Sequence, residues 1–331
     1  MPTILQPGIR APEFTLPAVN LGQEVTVSNR STHMTVLLFF GSEVTDIIAG
    51  QLAGYQERLS DFERHNAQVI AITDATPGDL RKLAQERNIE FPLAADSDPL
   101  RGVARSYGIV ANEAILPAVF VVDQEGLIRR VYNPEPTMGL PNPAIVNRAL
   151  INLVNTPKPP LMTADDWRLG YPEAPVALIE YGDYQCGHCQ ELYRVIMELL
   201  PTYGDKVQFV FRHFPLRHLH PLAVPAAEAA EAAGIQGKFW EMHARLFAAD
   251  NALERENLIE YAREIGLDVE KFTADLETHR FEDAVKEDYR GATRNKIKSP
   301  PTLFINYILF DGPPTAKALR DRIDSLLACH T

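Results

Sequence analysis

Two cysteines stand three residues apart in the sequence Cys186-Gly187-His188-Cys189, and this spacing suits chemistry between thiols and disulfides. Residues 176–179, before the motif, form a short apolar run typical of a buried strand, and residues 191–200, after it, carry apolar side chains at helical spacing. The cysteines are therefore predicted in the first turn of a helix that follows a strand. Residues three apart lie on one helix face, so the two sulfur atoms can meet and form a disulfide bond.

The first cysteine, Cys186, is predicted to be the nucleophile. Unpaired N–H groups and the partial positive charge of a helix N-terminus stabilise a thiolate, which is the species that attacks a disulfide. The adjacent His188 is expected to place a positive charge beside Cys186. We therefore expect a lowered pKa for Cys186, and we expect Cys189, one turn further along the helix, to resolve the mixed disulfide.

A zinc site is the main alternative for two cysteines at this spacing. Such a site needs two further ligands, and only Cys329 remains among the cysteines. His213, His218 and His220 do not form a second pair at ligand spacing and are interpreted as loop residues near the cleft. We therefore predict neither a metal nor another cofactor. Cys329 lies close to the C-terminus and is predicted to be an exposed thiol without a redox role.

Length and composition limit the classes of protein that the chain can belong to. At 331 residues it suits two domains, and a hydrophobic content of 46% is sufficient for packed cores. A net charge of −12 disfavours nucleic-acid binding, and no apolar run approaches the length of a membrane span. The first residues lack a charged leader, so no signal peptide is expected. Because three cysteines make no disulfide framework, we predict a cytoplasmic protein that binds neither nucleic acid nor a membrane.

The first 155 residues alternate between predicted strands and helices, which indicates an α/β domain. Strands are predicted at residues 35–40, 68–73, 118–123 and 127–132, and helices at residues 44–63, 77–87 and 143–154. A hairpin turn at Gln124, Glu125 and Gly126 joins the last two strands. Residues 156–170 are predicted to be a stiff linker, because the segment begins with a run dense in proline.

The first domain resembles the peroxiredoxin branch of the thioredoxin superfamily. The resemblance covers residues 5–135 and rests on residues 8–17, on the strand at 36–40 and on the strand and turn at 120–126. The family carries its peroxidatic cysteine in a P-x-x-x-T-x-x-C segment after the first core strand. The resemblance therefore directs attention to the residues of this chain at those positions.

The aligned segment keeps Thr45 but has Ile48 where the family has its cysteine. The arginine that assists peroxide binding in the family falls near Pro117, which could instead match the cis-proline of thioredoxins. No cysteine precedes Cys186. Because peroxidase chemistry needs a thiolate, the resemblance implies a catalytically silent domain that serves docking or dimerisation.

Residues 171–331 are predicted to form a second domain. Strands are predicted at residues 176–180, 207–212, 302–306 and 308–310, with a helical stretch from about 220 to 295 and a closing helix at 315–327. A helical insertion after the second strand of a thioredoxin fold resembles the DsbA family. The markers of this resemblance, within residues 165–328, are residues 183–189, 211–216, 226–233, 237–240 and 299–306. The fold class is therefore predicted as α/β with two thioredoxin-fold domains, the second with an inserted helical subdomain.

The resemblance to DsbA implies roles for a second loop. Pro301 aligns with the family's cis-proline, and Pro300, Thr302 and Gly187 are expected to contact the substrate. In the family, the residue before this proline pairs its backbone with the substrate. Pro300 has no N–H, so we expect one backbone hydrogen bond fewer to a peptide substrate.

Glu180 lies six residues before Cys186, at the end of the strand under the predicted site. Members of the DsbA family often carry an acid there that accepts the proton of the buried cysteine. A buried acid with a raised pKa can serve as such a base. The alternative interpretation is a surface carboxylate at a strand end.

The predicted hairpin from Tyr307 to Phe310 is apolar where the family commonly has glycine followed by polar residues. Exposed apolar patches usually mark interfaces. We therefore expect the hairpin to pack against another domain or subunit. A homodimer is expected through this hairpin or through the N-terminal domain.

Together these features predict a cytoplasmic thiol–disulfide oxidoreductase of the reductase or isomerase type, acting on disulfide-containing proteins or on low-molecular-weight thiol substrates. Gly187 and His188 form the dipeptide found in protein disulfide isomerases. Such motifs have reduction potentials of about −180 mV, whereas the glutathione pool of the cytosol has a potential of about −220 mV or lower. The cysteine pair should therefore be mostly reduced in the cytosol. Two alternatives remain open: peroxide reduction with Cys186 as the peroxidatic thiol, and a non-catalytic, chaperone-like binding protein built on thioredoxin folds.

Overall fold

The computed structural model describes residues 3–98, 101–132 and 139–329. The chain divides into two units, with the boundary between Thr156 and Pro157. Each unit has its own sheet, in which parallel and antiparallel strand pairs are combined. The prediction of an α/β protein with two thioredoxin-fold domains is confirmed.

Nine strands are described in the first unit. They are β1 (Phe14–Ala18), β2 (Gln23–Val27), β3 (Met34–Phe39), β4 (Ala67–Thr73), β5 (Leu93–Ala95), β6 (Val110–Ala111), β7 (Ala114–Ile115), β8 (Ala118–Val122) and β9 (Ile128–Tyr132). Seven of them form one sheet in the order β2-β1-β5-β4-β3-β8-β9, and β6 pairs with β7 separately. The central strands β3 and β8 are buried along their whole length, as their continuous apolar sequences predict.

Five helices are described in the first unit. They are α1 (Asp46–Glu57), α2 (Leu59–Arg64), α3 (Pro77–Arg87), α4 (Gly102–Ser106) and α5 (Pro143–Asn155). The single helix predicted at residues 44–63 is interrupted at Arg58, which leaves helical geometry and separates α1 from α2. Helix α3 ends at Asn88, a left-handed residue that caps the helix C-terminus.

The second unit contains the cysteine motif and a sheet of five strands. They are β10 (Arg168–Gly170), β11 (Val176–Gly182), β12 (Val207–His213), β13 (Thr302–Ile305) and β14 (Ile308–Leu309). The strand order is β10-β12-β11-β13-β14. Strand β11 runs parallel to β12 and antiparallel to β13, and every residue of β11 and β12 is buried.

Seven helices are described in the second unit. They are α6 (Gly187–Tyr203), α7 (Ala223–Gly234), α8 (Phe239–Ala248), α9 (Arg255–Glu264), α10 (Val269–Glu277), α11 (Glu282–Arg294) and α12 (Ala316–Leu327). Helices α7 to α11 lie between β12 and β13, where the helical insertion is predicted. The small alanine side chains of α7 are almost all buried, so its neighbours α8, α10 and α11 pack close to it. No helix in the described part of the chain is long and apolar enough to cross a membrane.

The prediction of a linker as far as residue 170 is wrong for its last residues. Residues 168–170 are strand β10, which pairs with β12. Just before it, the Asp166 carboxylate accepts a hydrogen bond from Arg212 Nε at 2.7 Å, and the Trp167 ring stacks on Phe239 with centroids 4.7 Å apart. The segment is therefore fixed to the second unit by an ion pair, a ring contact and a strand, none of which its proline-rich start indicates.

The predicted hairpin is present as β13 and β14, joined by Asn306 and Tyr307, which both have positive φ angles. Two such residues form the tight turn that suits the twist of a hairpin. Tyr307 and Leu309 are half-buried against the core of their own unit, and the Tyr307 hydroxyl accepts a hydrogen bond from the Met162 N–H at 3.4 Å. Packing of this hairpin against another domain or subunit stays a prediction.

Candidate active site

Strand β11 and helix α6 place the two cysteines at the end of the second unit's sheet. Cys186 is the N-cap residue of α6 and is 8% exposed. Its pKa is lowered to about 6, first by a hydrogen bond from the Cys189 thiol and further by the backbone N–H groups of Cys189 and His188, while burial acts in the opposite direction. The helix N-terminus therefore stabilises a thiolate at Cys186, as its position in the sequence predicts.

Cys189 lies in the first turn of α6 and is completely buried. Burial raises its pKa most, and its hydrogen bond to Cys186 and the nearby Glu180 carboxyl raise it further. The Asp183 backbone N–H donates a hydrogen bond to its sulfur at 3.4 Å. The pair therefore consists of a slightly exposed Cys186 with a lowered pKa and a completely buried Cys189 with a raised pKa.

Glu180 is completely buried in β11, so the alternative of a surface carboxylate is wrong. Neither of its carboxyl oxygens has a hydrogen-bond partner in the described part of the chain. Burial raises its pKa to about 8, with a further contribution from Cys186. A carboxyl group in this state exchanges its proton near neutral pH and lies within electrostatic reach of both cysteines.

The His188 side chain lies on the helix surface, and its effect on the pKa of Cys186 stays a prediction. The side chain is 83% exposed, and its Nδ1 lies 3.6 Å from an oxygen of Glu191, three residues along the helix. The His188 backbone N–H is one of the groups that lower the pKa of Cys186. Gly187, between Cys186 and His188, is exposed, and a Cβ atom added to it would meet no other atom within contact distance.

The second loop of the site contains the predicted proline. The Pro300–Pro301 bond is cis, and it is the one cis peptide bond in the described residues. Thr302 pairs with Tyr181 in the antiparallel register of β13 and β11. The loop therefore enters the sheet at the end where β11 leads to Cys186. The Thr302 hydroxyl donates to the Ser299 carbonyl at 2.5 Å, within the loop itself.

Asp183 is a site residue whose role the sequence reasoning missed. Its fully buried carboxylate accepts hydrogen bonds from the Gln185 N–H at 2.8 Å, the Leu216 N–H at 2.8 Å and His220 Nδ1 at 2.7 Å. These bonds join the cysteine loop to the segment after β12. A local signal exists, because aspartate commonly accepts a bond from the N–H two residues later, but the contacts 33 and 37 residues away leave no mark in the sequence.

The histidines expected in loops have different environments. His213 is buried at the end of β12, where its Nε2 lies 3.0 Å from Glu231 Oε1, so its prediction as a loop residue is wrong. His220 is bonded to Asp183, and His218 is exposed. In residues 3–98, 101–132 and 139–329, no group of three or more His, Cys, Asp or Glu side chains is arranged to hold a metal ion.

A second aromatic and polar layer lies behind the cysteines. The buried Tyr184 hydroxyl is 2.9 Å from His243 Nδ1, and Phe211 and Phe247 pack around both rings. Burial lowers the pKa of His243 well below its ordinary value, which keeps the ring neutral. His243 and Phe247 belong to α8, so the layer connects the cysteine loop with the helical insertion. Cys329 is half-exposed, and its Sγ donates to the Ser325 carbonyl at 3.4 Å.

In the first unit, the position of the peroxiredoxin cysteine is part of the core. Ile48 is 6% exposed, and Thr45 accepts a hydrogen bond from its backbone N–H as the cap of α1. The bond before Pro117 is trans, so the match of this residue to a thioredoxin cis-proline is wrong. The cap geometry is thus retained without a thiol.

Comparisons with known proteins agree with this division. Residues 7–131 match the model of the AhpC/TSA family, and residues 163–325 match a model described as thioredoxin. Curated relatives include the Na(+)/H(+) antiporter NhaA 1 of Mycolicibacterium gilvum, 40% identical over 152 residues, which are 45% of this chain and 25% of that protein. The protein of the same name from Salinispora arenicola is 39% identical over 156 residues, 47% of this chain and 24% of that protein. The chain thus spans about a quarter of the length of these relatives.

Solved structures with similar chains include BdbD from Bacillus subtilis, with a TM-score of 0.47 and 21% identity over 52% of this chain and 97% of that one. A peroxiredoxin-like protein from Aquifex aeolicus has a TM-score of 0.41 and 23% identity over 45% of this chain and 88% of that one. The two family models account for separate units, and the first unit has no cysteine. Residues 7–131 are thus similar to the AhpC/TSA family but contain no cysteine, and residues 163–325 are similar to thioredoxin and contain the cysteine pair.

Proposed function

We propose that the protein is a thiol–disulfide oxidoreductase of the reductase or isomerase type, with Cys186 as the nucleophile and Cys189 as the resolving thiol. The observation that carries this proposal is the opposite shift of the two pKa values: that of Cys186 is lowered to about 6, and that of Cys189 is raised. At neutral pH only Cys186 is a thiolate, so the order of attack is fixed.

The reaction begins when the Cys186 thiolate attacks one sulfur of a substrate disulfide. The other substrate sulfur leaves as a thiolate and takes up a proton. In molecules whose Glu180 is ionised, Cys189 then loses its proton to the Glu180 carboxylate and attacks the Cys186 sulfur, which releases the second substrate thiol. The substrate gains two electrons, and the two cysteines become a disulfide. A thiol donor from outside the chain must reduce this disulfide before the next turnover.

An isomerase cycle uses the same first step. The mixed disulfide is then attacked by another thiol of the substrate, so that Cys186 leaves again as a thiolate and no net electrons are transferred. Disulfide-containing proteins and low-molecular-weight thiols are the proposed substrates. A mostly reduced centre in the cytoplasm would favour both cycles over net oxidation, and the cytoplasmic location stays a prediction.

The proposal is tested by measuring the alkylation rate of the reduced protein against pH, together with equilibration of the cysteine pair with glutathione. Cys329→Ser is used throughout, so that only the motif reacts. We expect a rate that rises with a midpoint near pH 6, and a potential in the range of isomerases. In Cys186→Ser the fast reaction should disappear, because Cys189 is buried. A midpoint near the ordinary thiol value, or a pair that forms no disulfide, contradicts the proposal.

A further inference from the structure

A groove in the second unit lies beside the segment that follows β12. It has a volume of about 520 Å³ and is formed between this segment and helix α11. The residues that give it its chemical character are Arg217, His218, Leu219, Lys286, Tyr289 and Arg290. We call it the basic groove. Its volume lies within the range of about 300–1,000 Å³ typical of ligand sites.

The groove exposes apolar side chains. Leu219 is 73% exposed and Tyr289 is 38% exposed, the former being the most exposed large apolar side chain among the described residues. The Tyr289 ring rests on Phe214, with the centroids 4.8 Å apart, so its orientation is fixed from below. A fixed aromatic ring beside an exposed leucine is a surface that an apolar side chain of a partner can cover.

The charge of the groove is opposite to that of the whole chain, which is −12. Four basic residues and no acidic one line the groove in the described part of the structure. Lys286 is already paired with Glu282 at 2.7 Å. Arg217 and Arg290 are both exposed, and Arg217 interacts electrostatically with Glu282, the partner of Lys286. Exposed guanidinium groups can bind carboxylates from outside.

The groove is joined to the cysteine pair through Asp183. The Leu216 N–H, on the groove segment, donates to the Asp183 carboxylate, and His220 at the other end of that segment does the same. The backbone N–H of Asp183 donates to the Cys189 sulfur. The segment that forms one wall of the groove is thus hydrogen-bonded to the loop that precedes Cys186.

We infer that the basic groove binds an acidic segment of the polypeptide substrate, with carboxylates on Arg217 and Arg290 and an apolar side chain over Leu219 and Tyr289. This inference rests on the proposed function, because it assigns the substrate of the same site. An occupant with both carboxylates and an apolar side chain fits the groove better than a small polar thiol, which would leave Leu219 and Tyr289 uncovered.

The test compares two disulfide-linked peptides that are identical around the disulfide. One carries flanking Glu and Leu residues, and the other carries Gln in place of Glu. The full-length protein should reduce the acidic peptide with a kcat/KM about tenfold higher at low salt, since two exposed charge contacts contribute modestly each. The preference should shrink as ionic strength rises, because salt screens exposed charges.

The double variant R217Q/R290Q should lose this preference. Arg294→Gln is the matched control, since Arg294 lies on α11 outside the groove and pairs with Glu287; it should keep the preference. Reduction of hydroxyethyl disulfide, which is small and neutral, should be the same in all three proteins and reports that the variants are folded.

The outcomes separate the two proposals. If the parent protein reduces no disulfide, hydroxyethyl disulfide included, the proposed function is wrong. If it reduces hydroxyethyl disulfide but treats the two peptides alike, or if R217Q/R290Q keeps the preference, the assignment of the groove is wrong. The assignment is also wrong if R217Q/R290Q loses activity towards glutathione disulfide and reduces both peptides at the parental rates. The groove would then bind a small anionic disulfide.

Discussion

Cys186 and Cys189 share one helical turn and differ in what surrounds each sulfur. Cys186 stands where free N–H groups converge, and its pKa is lowered. Cys189 stands one turn deeper, without solvent and beside the Glu180 carboxyl, and its pKa is raised. One proton shared between the two sulfurs contributes to both shifts, because Cys189 donates the hydrogen bond that stabilises the Cys186 thiolate. The opposite shifts of the two pKa values therefore follow from the different positions of the two sulfur atoms in the first turn of α6.

The buried Glu180 should make stability fall with rising pH. In the native state its pKa is raised to about 8, whereas in the unfolded chain it ionises near 4.5. Between these values the native state holds one proton more, so the free energy of unfolding decreases by up to about 1.4 kcal/mol per pH unit. Glu180→Gln removes this dependence. We expect the variant to gain stability relative to the parent from pH 5 to pH 8, measured by urea unfolding.

This measurement is made on the disulfide form, in which neither cysteine of the motif titrates. The contribution of Cys186 to the raised pKa of Glu180 is absent there, and burial, the larger cause, remains. Glu191→Gln is the matched control, because Glu191 is exposed on the same region of α6. Its stability should follow that of the parent at every pH. Parallel pH profiles for Glu180→Gln and the parent would show that the buried carboxyl is ionised throughout.

Pro300, the first residue of the cis peptide bond, should limit the affinity for peptide substrates. Pro300 offers no N–H, so replacing it by Thr or Ala restores one backbone donor. We expect the mixed disulfide with a peptide to become more stable by about 1 kcal/mol, or roughly fivefold, because one hydrogen bond is added. Equilibration with a cysteine peptide measures this change.

Both replacements should have the same effect, since the backbone and not the side chain is responsible. The mixed disulfide with mercaptoethanol, which has no peptide backbone, serves as the control and should be unaffected. Unchanged affinity for the peptide in Pro300→Thr would rule out a backbone contact at this residue.

Some of the site could be predicted from residue types and spacing, and some could not. The position of Cys186 at a helix N-terminus follows from a strand pattern beside a helix pattern. The exposure of the His188 side chain and its position 3.6 Å from Glu191 do not follow from the sequence pattern. The role of Asp183 depends on Leu216 and His220, which only the parallel pairing of β11 with β12 brings close.

Gly182 at the end of β11 lies so close to Phe211 of β12 that a larger side chain does not fit there. A Cβ atom on Gly182 would lie 2.3 Å from Phe211 Cε2 and 2.9 Å from Glu180 Oε1. We therefore expect Gly182→Ala to lower the free energy of unfolding by about 1–3 kcal/mol, because both neighbours are buried. Urea unfolding followed by circular dichroism measures the loss.

The same substitution elsewhere in this unit should act in the opposite direction. Gly291 lies inside helix α11 with open space around it, so Gly291→Ala should raise the free energy of unfolding by about 0.5–1 kcal/mol. If Gly182→Ala also stabilises the protein, the close approach of Phe211 to β11 is wrong.

The length of a helix or strand and the clarity of its apolar pattern decide whether the sequence predicts it. Helix α3 and the long buried strands have clear patterns, and their predicted bounds differ from the structure by a residue or two. Strand β10 has three residues and no alternation, so it exists only through its pairing with β12. The helical insertion is visible as one stretch, but its division into five helices depends on turns such as Asp250–Asn251, where two residues with positive φ fold the chain back.

The whole molecule combines two units with separate cores, of which only the second holds cysteines. Leu38 is completely buried in the first unit, in a cluster of residues confined to that unit. Leu38→Ala should destabilise this unit by about 2–5 kcal/mol through the cavity it leaves. Cys186 alkylation and the reduction of hydroxyethyl disulfide should keep their parental rates at temperatures where the first unit still folds.

Leu303→Ala in β13 is the counterpart in the second unit, since Leu303 is also buried. It should reduce the stability of the unit that carries the cysteines and leave the first unit unchanged. If the rate of Cys186 alkylation falls in Leu38→Ala, the first unit influences the cysteine pair.

Both tryptophans of the chain, Trp167 and Trp240, belong to the second unit. Their indole N–H groups donate at 2.8 Å to the Glu231 carboxylate and to the Arg168 carbonyl, so each ring is anchored between the sheet and the helical insertion. Selective excitation of tryptophan fluorescence therefore samples the second unit alone, whereas far-ultraviolet circular dichroism sums both units. The unlabelled protein thus contains an optical probe that can time the unfolding of the cysteine-bearing unit independently of the first unit.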